Sequence, residues 1–267
     1  MTYTLVTGAC GGLGGAFVVQ LAQQGRNLAL VGTSMAKLDA LKQKLQQEYP
    51  NILIETFVCD QSNELLRGKF LHDISEIDID CAILNAGYID EGPISEKTED
   101  ELMGVIRTNC EGTIVIAKRL FDNATSKKQH LDLLVTSSLS AYYPMPLMAI
   151  YSASKAMLLH FFLAAREEYK KQDINITVLA PSGIPTTKAM KDAIVVQGYA
   201  GKITSASPEK VARVALDCLF ANKPVAIPKC INKFLCWAGT RPSKTFTAKL
   251  IFRRWKKSQA KLKEKAK

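Results

Sequence analysis

Tyr151-Ser152-Ala153-Ser154-Lys155 sets a phenol and an ammonium four residues apart. On a helix, such positions share one face and lie a turn apart. A free tyrosine titrates near ~10 and is a poor acid/base at neutral pH. An adjacent ammonium favours the phenolate and lowers that value. A group titrating closer to working pH passes a proton more effectively. The pair could therefore move a proton on and off an oxygen atom, although Tyr and Lys at this spacing are commonplace on helices. Hydroxyls stand upstream, in and just past LDLLVTSS: Ser137, Ser138 and Ser140. One of them could hydrogen-bond a substrate oxygen as charge develops on it. Each also fits a plain turn.

A second set of residues suits binding. Thr7-Gly8-Ala9-Cys10-Gly11-Gly12-Leu13-Gly14-Gly15 follows the apolar run TLVT and leads into a helical pattern. In that context the first glycine permits a sharp turn. The middle one admits a diphosphate close to the backbone, and the last lets the helix pack near the strand. The helix N-terminus adds free N–H groups and a partial positive charge. A glycine-rich turn without a ligand is the plainer alternative. The strand before, the helix after and the N-terminal position favour a dinucleotide.

These groups need a scaffold. TLVT, NLALVG, ILIETFVC, DIDCAILN, LDLLVTS, INITVLA and VAIP read as strands. Most are continuous apolar runs, as expected of parallel strands covered on both faces. Between them lie amphipathic segments. In 34–48, Met35, Leu38, Leu41 and Leu45 recur at helical spacing, with Ser34 as N-cap and Pro50 past the end. Residues 98–123 and 151–171 read as longer helices. The repeated alternation predicts an α/β fold: a doubly wound parallel sheet of Rossmann type, in a single domain, with right-handed crossovers. We assign 1–228 to that domain and 229–267 to a basic amphipathic C-terminal extension.

Of the 267 residues, 47% are hydrophobic, enough to bury a core. The net charge of +10 is unevenly spread. Of 35 Lys/Arg and 25 Asp/Glu, segment 229–267 holds 13 and one (Glu264), so it carries +12 and the remainder −2. The basicity thus belongs to the extension, and no nucleic-acid module accompanies it, so no nucleic-acid partner is expected. Seven cysteines cannot all pair. They contain no CxxC, and with His72, His130 and His160 they show no metal-ligand spacing, so no metal is expected. Free thiols suit a reducing cytoplasm. MTYTLVTG looks like a first strand and not a signal peptide. No run approaches roughly 18 apolar residues, so no membrane-spanning helix is expected.

The glycine spacing, TGxxxGxG, resembles that of the short-chain dehydrogenase/reductase family of nicotinamide enzymes. Other marks of that family follow in order across residues 3–228. Leu84-Asn85-Ala86-Gly87 stands where the family has NNAG, with Leu84 replacing the first Asn. Asp60, after the third strand, matches the family's aspartate near the adenine. Asn109, in RTNCEGT, matches a helix asparagine that holds a water between the lysine and solvent. Pro181-Ser182-Gly183-Ile184-Pro185-Thr186 stands for PGxVxT, with Ser182 in place of the glycine and Pro185 unusual there. Of the three serines, only Ser138 has the family's 13-residue separation from the tyrosine.

The resemblance implies an enzyme that interconverts a carbonyl and an alcohol on a small-molecule substrate, commonly as a homo-oligomer. Hydride passes between nicotinamide C4 and the carbonyl carbon. Tyr151 moves the proton, Lys155 tunes it and holds the ribose, Ser138 orients the substrate oxygen, and Asn109 supports a water relay. Gly8, Gly12, Leu13, Gly14, Thr33, Ser34, Asp60, Asn85, Ala86, Gly87, Ile184 and Thr186 would line the cofactor with Tyr151 and Lys155. Within the family the chain looks most like bacterial-type oxidoreductases with a basic extension. Two readings compete: a non-catalytic NADP-binding sensor or scaffold, against which the full Ser138–Tyr151–Lys155 set argues, and a peripheral membrane or partner-binding protein acting through its basic tail with little turnover.

Enzymes that select NAD usually present an acid after the second strand, and those that select NADP a basic residue. Here the segment is Val31-Gly32-Thr33-Ser34-Met35-Ala36-Lys37, with no acid to repel a phosphate. NADP is expected, with NAD as the alternative. Residues 187–206 read as a lid, with Met190, Ile194, Val195, Val196 and Tyr199 available to line a pocket for a hydrophobic substrate. In the extension, Ile231, Phe234, Leu235 and Ala238 share one helical face, which a break at Gly239 and Pro242 ends. Ala248, Ile251, Phe252 and Trp255 share another, opposite Lys249, Arg253, Lys256 and Lys257. That pattern suits either packing on the body or a sister subunit, with SQAKLKEKAK as a solvated end, or peripheral contact with a membrane. Packing is the favoured expectation. The expected location is cytoplasmic, with membrane association as the variant.

Overall fold

The computed structural model describes residues 1–265; the side chains of Ala189 and 257–265 fall outside it, and with them the expectations for Lys257 and for the chain end. Seven strands form one all-parallel sheet: β1 (Thr2–Thr7), β2 (Leu28–Gly32), β3 (Ile54–Val58), β4 (Asp78–Leu84), β5 (Leu131–Thr136), β6 (Ile174–Leu179) and β7 (Val225–Ala226). Their order is β3-β2-β1-β4-β5-β6-β7. The chain winds outward from β1 in one direction and, from β4 onward, in the other. The crevice at the carboxyl ends of β1 and β4 is therefore the topological switch point, where such sheets bind ligands.

Successive strand residues point to opposite faces, and both faces are covered. Leu5, Leu133, Val135 and Ile176 pack with Phe121 of α5 (Thr113–Lys127) and Phe162 of α6 (Ala149–Glu168). Val6, Ile83, Leu134 and Leu179 pack on the other side with α1 (Gly12–Gln23), α2 (Met35–Glu48) and α9 (Pro208–Phe220). On α2 the expected stripe is only half used. Leu38 and Leu45 are buried, whereas Met35 is exposed. The remaining helix of the first half, α3 (Glu64–Asp73), starts on an Asn63 cap that accepts from Leu66 N at 3.0 Å.

The segment expected as one helix over 98–123 has three parts. A capping box of Thr98 and Glu101 opens α4 (Glu99–Ile106), satisfying donors at both ends of the box. Arg107–Gly112 then continues as a π-helical turn into α5. Such turns cost hydrogen-bond regularity and concentrate at functional sites. Beyond β6 lie the short helices α7 (Lys188–Val196) and α8 (Gly198–Thr204), over the expected lid.

The extension forms two helices, α10 (Cys230–Gly239) and α11 (Lys244–Lys265), with the break where it was expected. The buried face of α10 differs from the expected one, whereas that of α11 departs from it only at Thr247 and Phe252. On α10, Asn232 and Cys236 are buried while Phe234 and Leu235 are exposed. Cys236 packs with Leu139 and Ala180, and a Cβ on Gly239 would meet the Tyr143 ring at 3.1 Å. A small i, i+4, i+7 stripe seats closer to the body than a bulky one, so the aromatics turn outward. On α11, Thr247 is buried, Ala248, Ile251 and Trp255 are half-buried, and Phe252 is exposed; the helix lies against α7. Among the described residues, no helix is long and apolar enough to cross a membrane.

Candidate active site

The glycine loop closes the bottom of the crevice. Gly8 turns the chain at φ +66°, and a Cβ there would sit 3.0 Å from Ala86 Cα. A Cβ on Gly12 would sit 2.6 Å from Thr186 Cγ2, and one on Gly14 only 2.0 Å from the Gly8 carbonyl oxygen. Only glycine admits these approaches. α1 opens on Gly11 with no side-chain cap and no acid in its first turn. The N–H groups of Gly12, Leu13 and Gly14 have no acceptor within the helix and form a cradle for an anion.

Above the cradle, Thr7 Oγ1 accepts from Asn85 N at 2.9 Å and from Ala86 N at 3.0 Å. Thr136 Oγ1 donates to Asn85 Oδ1 at 3.3 Å. Asn85 thereby ties together the ends of β1, β4 and β5, which leaves Ala86 and Gly87 at the crevice.

The three serines after β5 separate by environment. Ser137 Oγ donates to the Lys155 carbonyl at 2.7 Å, and the Ser140 hydroxyl is buried without a partner. Ser138 caps the short turn Leu139–Tyr142, its Oγ accepting from Ser140 N at 3.1 Å, and lies close enough to Tyr151 to act on its phenol. Tyr151 and Lys155 lie one turn apart on α6. Lys155 Nζ sits 5.8 Å from the centroid of the Tyr151 ring and donates to the Thr136 carbonyl at 2.8 Å.

The electrostatics depart from the sequence-based expectation. Burial pushes the Tyr151 phenol up; the Ser138 hydroxyl acts downward and the Glu91 carboxylate upward. Lys155 is absent from these causes. Its ammonium faces the strand end, and burial drives it down to about 8, with Cys110 acting the other way. Desolvation of both groups outweighs their mutual influence here.

Asn109 sits in the π turn, fully buried behind the cavity wall. Its Oδ1 accepts from Tyr88 N at 2.7 Å, while Nδ2 donates to Tyr88 O at 2.9 Å and to Ser154 Oγ at 3.0 Å. A Cβ on Gly87 would meet Lys155 Nζ at 3.2 Å and Asn109 Oδ1 at 3.3 Å, so these two groups are neighbours behind that glycine.

The remaining residues line the rim. Ser34 precedes α2 without its side chain capping the helix, which leaves the hydroxyl free, and Thr33 beside it is exposed. Asp60 Oδ1 accepts from Ser62 N at 2.9 Å and Ser62 Oγ at 2.7 Å. Thr186 N donates to Ile184 O at 2.8 Å and holds the loop after β6 in a tight turn. All the expected catalytic and cofactor residues except Asn109 line one cavity of about 570 Å³. Of the five lid residues, Met190 alone lines it. Ile194 packs under Gly183, 3.5 Å from the position of a Cβ there, and Val195 and Tyr199 are exposed.

Three participants escaped the sequence reading. Glu91 acts on Tyr151 from the loop after β4. Gln61 is buried, and its Nε2 donates to Thr108 O at 2.6 Å, joining the end of β3 to the π turn. Asn232 of α10 reaches the loop after β6. Only Asn232 left a trace: a polar residue four positions before Cys236 inside an amphipathic pattern.

A short chain dehydrogenase family model matches residues 2–194. A very-long-chain 3-oxoacyl-CoA reductase of Coccidioides immitis is 28% identical over 249 residues, covering 90% of this chain and 69% of its own length. The like-named protein of Podospora anserina is 30% identical over 205 residues, covering 74% of this chain and 59% of its own. Among solved structures, a 7beta-hydroxysteroid dehydrogenase superposes with a TM-score of 0.84 at 18% identity, over 94% of this chain and 96% of that one. A short-chain dehydrogenase from Sphingobium yanoikuyae in complex with NADPH gives 0.77 at 22%, over 90% and 94%. Fold, glycine cradle and family match agree: the chain belongs to the short-chain dehydrogenase/reductase family and is an NAD(P)-dependent oxidoreductase.

Proposed function

We propose that the chain is an NADP-preferring reductase of hydrophobic carbonyl compounds, with 3-oxoacyl thioesters the first class to test. One observation carries the reading: Ser138, Tyr151 and Lys155 meet on the wall of the cavity that the glycine loop also lines. The cradle fits a dinucleotide, because the backbone of Gly8, Gly12 and Gly14 leaves no room for side chains and free N–H groups open α1. Held there by the cradle, a reduced nicotinamide cofactor would supply the hydride for the carbonyl carbon. The chain's own groups manage the oxygen. Ser138 orients it and donates to it as charge builds. Tyr151 protonates it; its raised pKa keeps the phenol in the donor form at neutral pH, as reduction requires. Lys155 holds the ribose hydroxyls, and Asn109 keeps the Tyr88 loop and α6 in register on the path by which the proton is replaced.

The preference for NADP rests on the end of β2. No acid stands there, and Thr33, Ser34 and Lys37 line the cavity. The substrate class rests on the names of the curated relatives and on apolar Met190 and Ile184 in the cavity wall. NADPH oxidation should be measured across 3-oxoacyl thioesters, bulky ketones and steroids, with Tyr151→Phe as control. Turnover by the native chain and loss in the variant support the reading. Cofactor binding without turnover on any of them would make the chain a sensor or scaffold instead.

A further inference from the structure

Two sets of side chains on the extension remain without a role in this chemistry. The first is apolar. Phe234, Leu235 and Trp237 of α10, and Phe246, Leu250 and Phe252 of α11, are all exposed. Phe234 and Trp237 stand together, with ring centroids 5.9 Å apart. Phe246 and Leu250 are one turn apart on α11 and share that side with Arg253, away from the packed Thr247, Ile251 and Trp255. The second set is cationic. Lys233, Arg241, Lys249, Arg253, Arg254 and Lys256 are exposed. Among the described residues, no ion pair uses a basic side chain of the extension. Arg241 lies 4.6 Å over the Trp237 ring, its charge beside the aromatic face.

Exposed aromatic and aliphatic side chains interleaved with unpaired cations match a lipid interface, where rings enter the headgroup layer and long basic side chains reach phosphates. We infer that α10 and α11 dock the enzyme on an anionic phospholipid surface. Charge decides between this and a second copy of the chain. The extension carries 13 Lys/Arg against one acid, so two extensions face to face would repel, and the rest of the chain carries a net charge of only −2 to attract one. A phospholipid surface supplies both the anions and the apolar depth. Position adds to the case. α11 lies against α7, α10 approaches α8, and these lid helices expose Val195, Tyr199 and Ile203. Docking would therefore hold the lid helices near the bilayer, behind α11. For the delivery of a hydrophobic substrate this consequence rests on the proposed reductase activity, whereas the docking itself does not.

The only two tryptophans, Trp237 and Trp255, both lie in the extension. In full-length Trp255→Phe protein, Trp237 is the sole reporter. Its emission should shift to the blue on adding phosphatidylglycerol-containing vesicles and not pure phosphatidylcholine vesicles, and moderate salt should reverse the shift. The full chain should co-sediment with the same vesicles. The pairs Phe246→Ser with Leu250→Ser, and Lys249→Glu with Arg253→Glu, should each lower vesicle affinity by about tenfold or more, with turnover of a water-soluble ketone unchanged. Equal pelleting with both vesicle types, large or negligible, overturns the inference. So does Trp237 emission already blue without vesicles in a dimer that Trp237→Ser dissociates, which would assign the surface to a second copy. Turnover and vesicle binding are read separately, so failure of one leaves the other standing.

Discussion

Asn232 Nδ2 lies 3.1 Å from Ser182 Oγ, although the two residues are fifty positions apart. The same nitrogen reaches Thr204 O at 3.0 Å and Pro228 O at 2.8 Å, and Ser182 Oγ donates to Thr204 O at 2.5 Å. One buried amide thus pins the extension, the end of the lid and the loop after β6 at a single point. Ser182 stands where the family has glycine, so this tie belongs to the departure from the family pattern. Asn232→Leu should raise KM for NADPH several-fold with a smaller fall in kcat, and lower stability by about 1–3 kcal/mol, because buried acceptors lose their donor. A double-mutant cycle with Ser182→Ala checks the coupling; additive effects would disconnect the two residues.

Tyr151→Phe removes the proposed proton donor and should lower kcat by about 10²–10⁴-fold with little change in NADPH affinity. The raised phenol also sets a pH direction. Reduction needs the neutral form and should hold steady from neutral into mildly alkaline pH. Oxidation of the product alcohol needs the phenolate and should climb throughout that range. Parallel pH profiles in the two directions would contradict this assignment.

Lys155 is charged at a cost. Its amine falls to about 8 in the folded protein from an ordinary 10.5, so between those values the unfolded chain binds more protons and stability rises with pH. Below about 8 the penalty is fully present. Lys155→Met should be inactive yet more stable at pH 7, by about 1–3 kcal/mol after allowing for the lost bond to Thr136. The difference should shrink as pH climbs from about 8 towards 10.5. Denaturant titrations of both proteins across that range measure it.

Gly14 and Gly15 form a matched pair. A Cβ at Gly14 would lie 2.0 Å from the Gly8 carbonyl oxygen; one at Gly15 comes no nearer than 3.8 Å to Ala9 O. Gly14→Ala should weaken NADPH binding by about a hundredfold or prevent folding. Gly15→Ala should bind normally and be more stable by about 0.5–1 kcal/mol, since alanine favours the helix. Calorimetric titration with NADPH, alongside thermal melts, distinguishes the two.

Ser34→Asp installs an acid where none stands. It should weaken NADPH binding by about tenfold or more and affect NADH little or favourably. Equal losses for both cofactors would show that the 2′-phosphate lies elsewhere.

The sheet was legible in the sequence because parallel strands buried on both faces leave uninterrupted apolar runs, and ILIETFVC lost only its end residues, Ile52, Leu53 and Cys59. The cradle was legible because each glycine answers a local steric demand. The π turn was not: Arg107–Gly112 keeps a helical composition, and its irregularity comes from Gln61 and Asn109 engaging partners far away in sequence. The buried face of α10 was misjudged for a related reason. Periodicity locates a stripe, but which stripe seats depends on the surface opposite, and beside Tyr143 and Leu139 there is room only for Asn232, Cys236 and Gly239. The direction of the Tyr151 shift was hidden as well, because spacing gives the distance to Lys155 but not the depth of both groups.

The anchoring of α6 has a consequence for how this enzyme can change over generations. Ser137 holds the Lys155 carbonyl, Ser154 bridges from the Tyr151 carbonyl to Asn109, and Lys155 itself is tied to β5. Tyr151 and Lys155, the groups proposed to react, are thereby fastened to the sheet, and α6 shares few contacts with α7 and α8. Met190 of α7 lines the cavity, so substitutions there could alter which molecule is admitted without disturbing those tethers. New substrate ranges are reachable in small steps from this chain, whereas new chemistry would require several tethers to change at once.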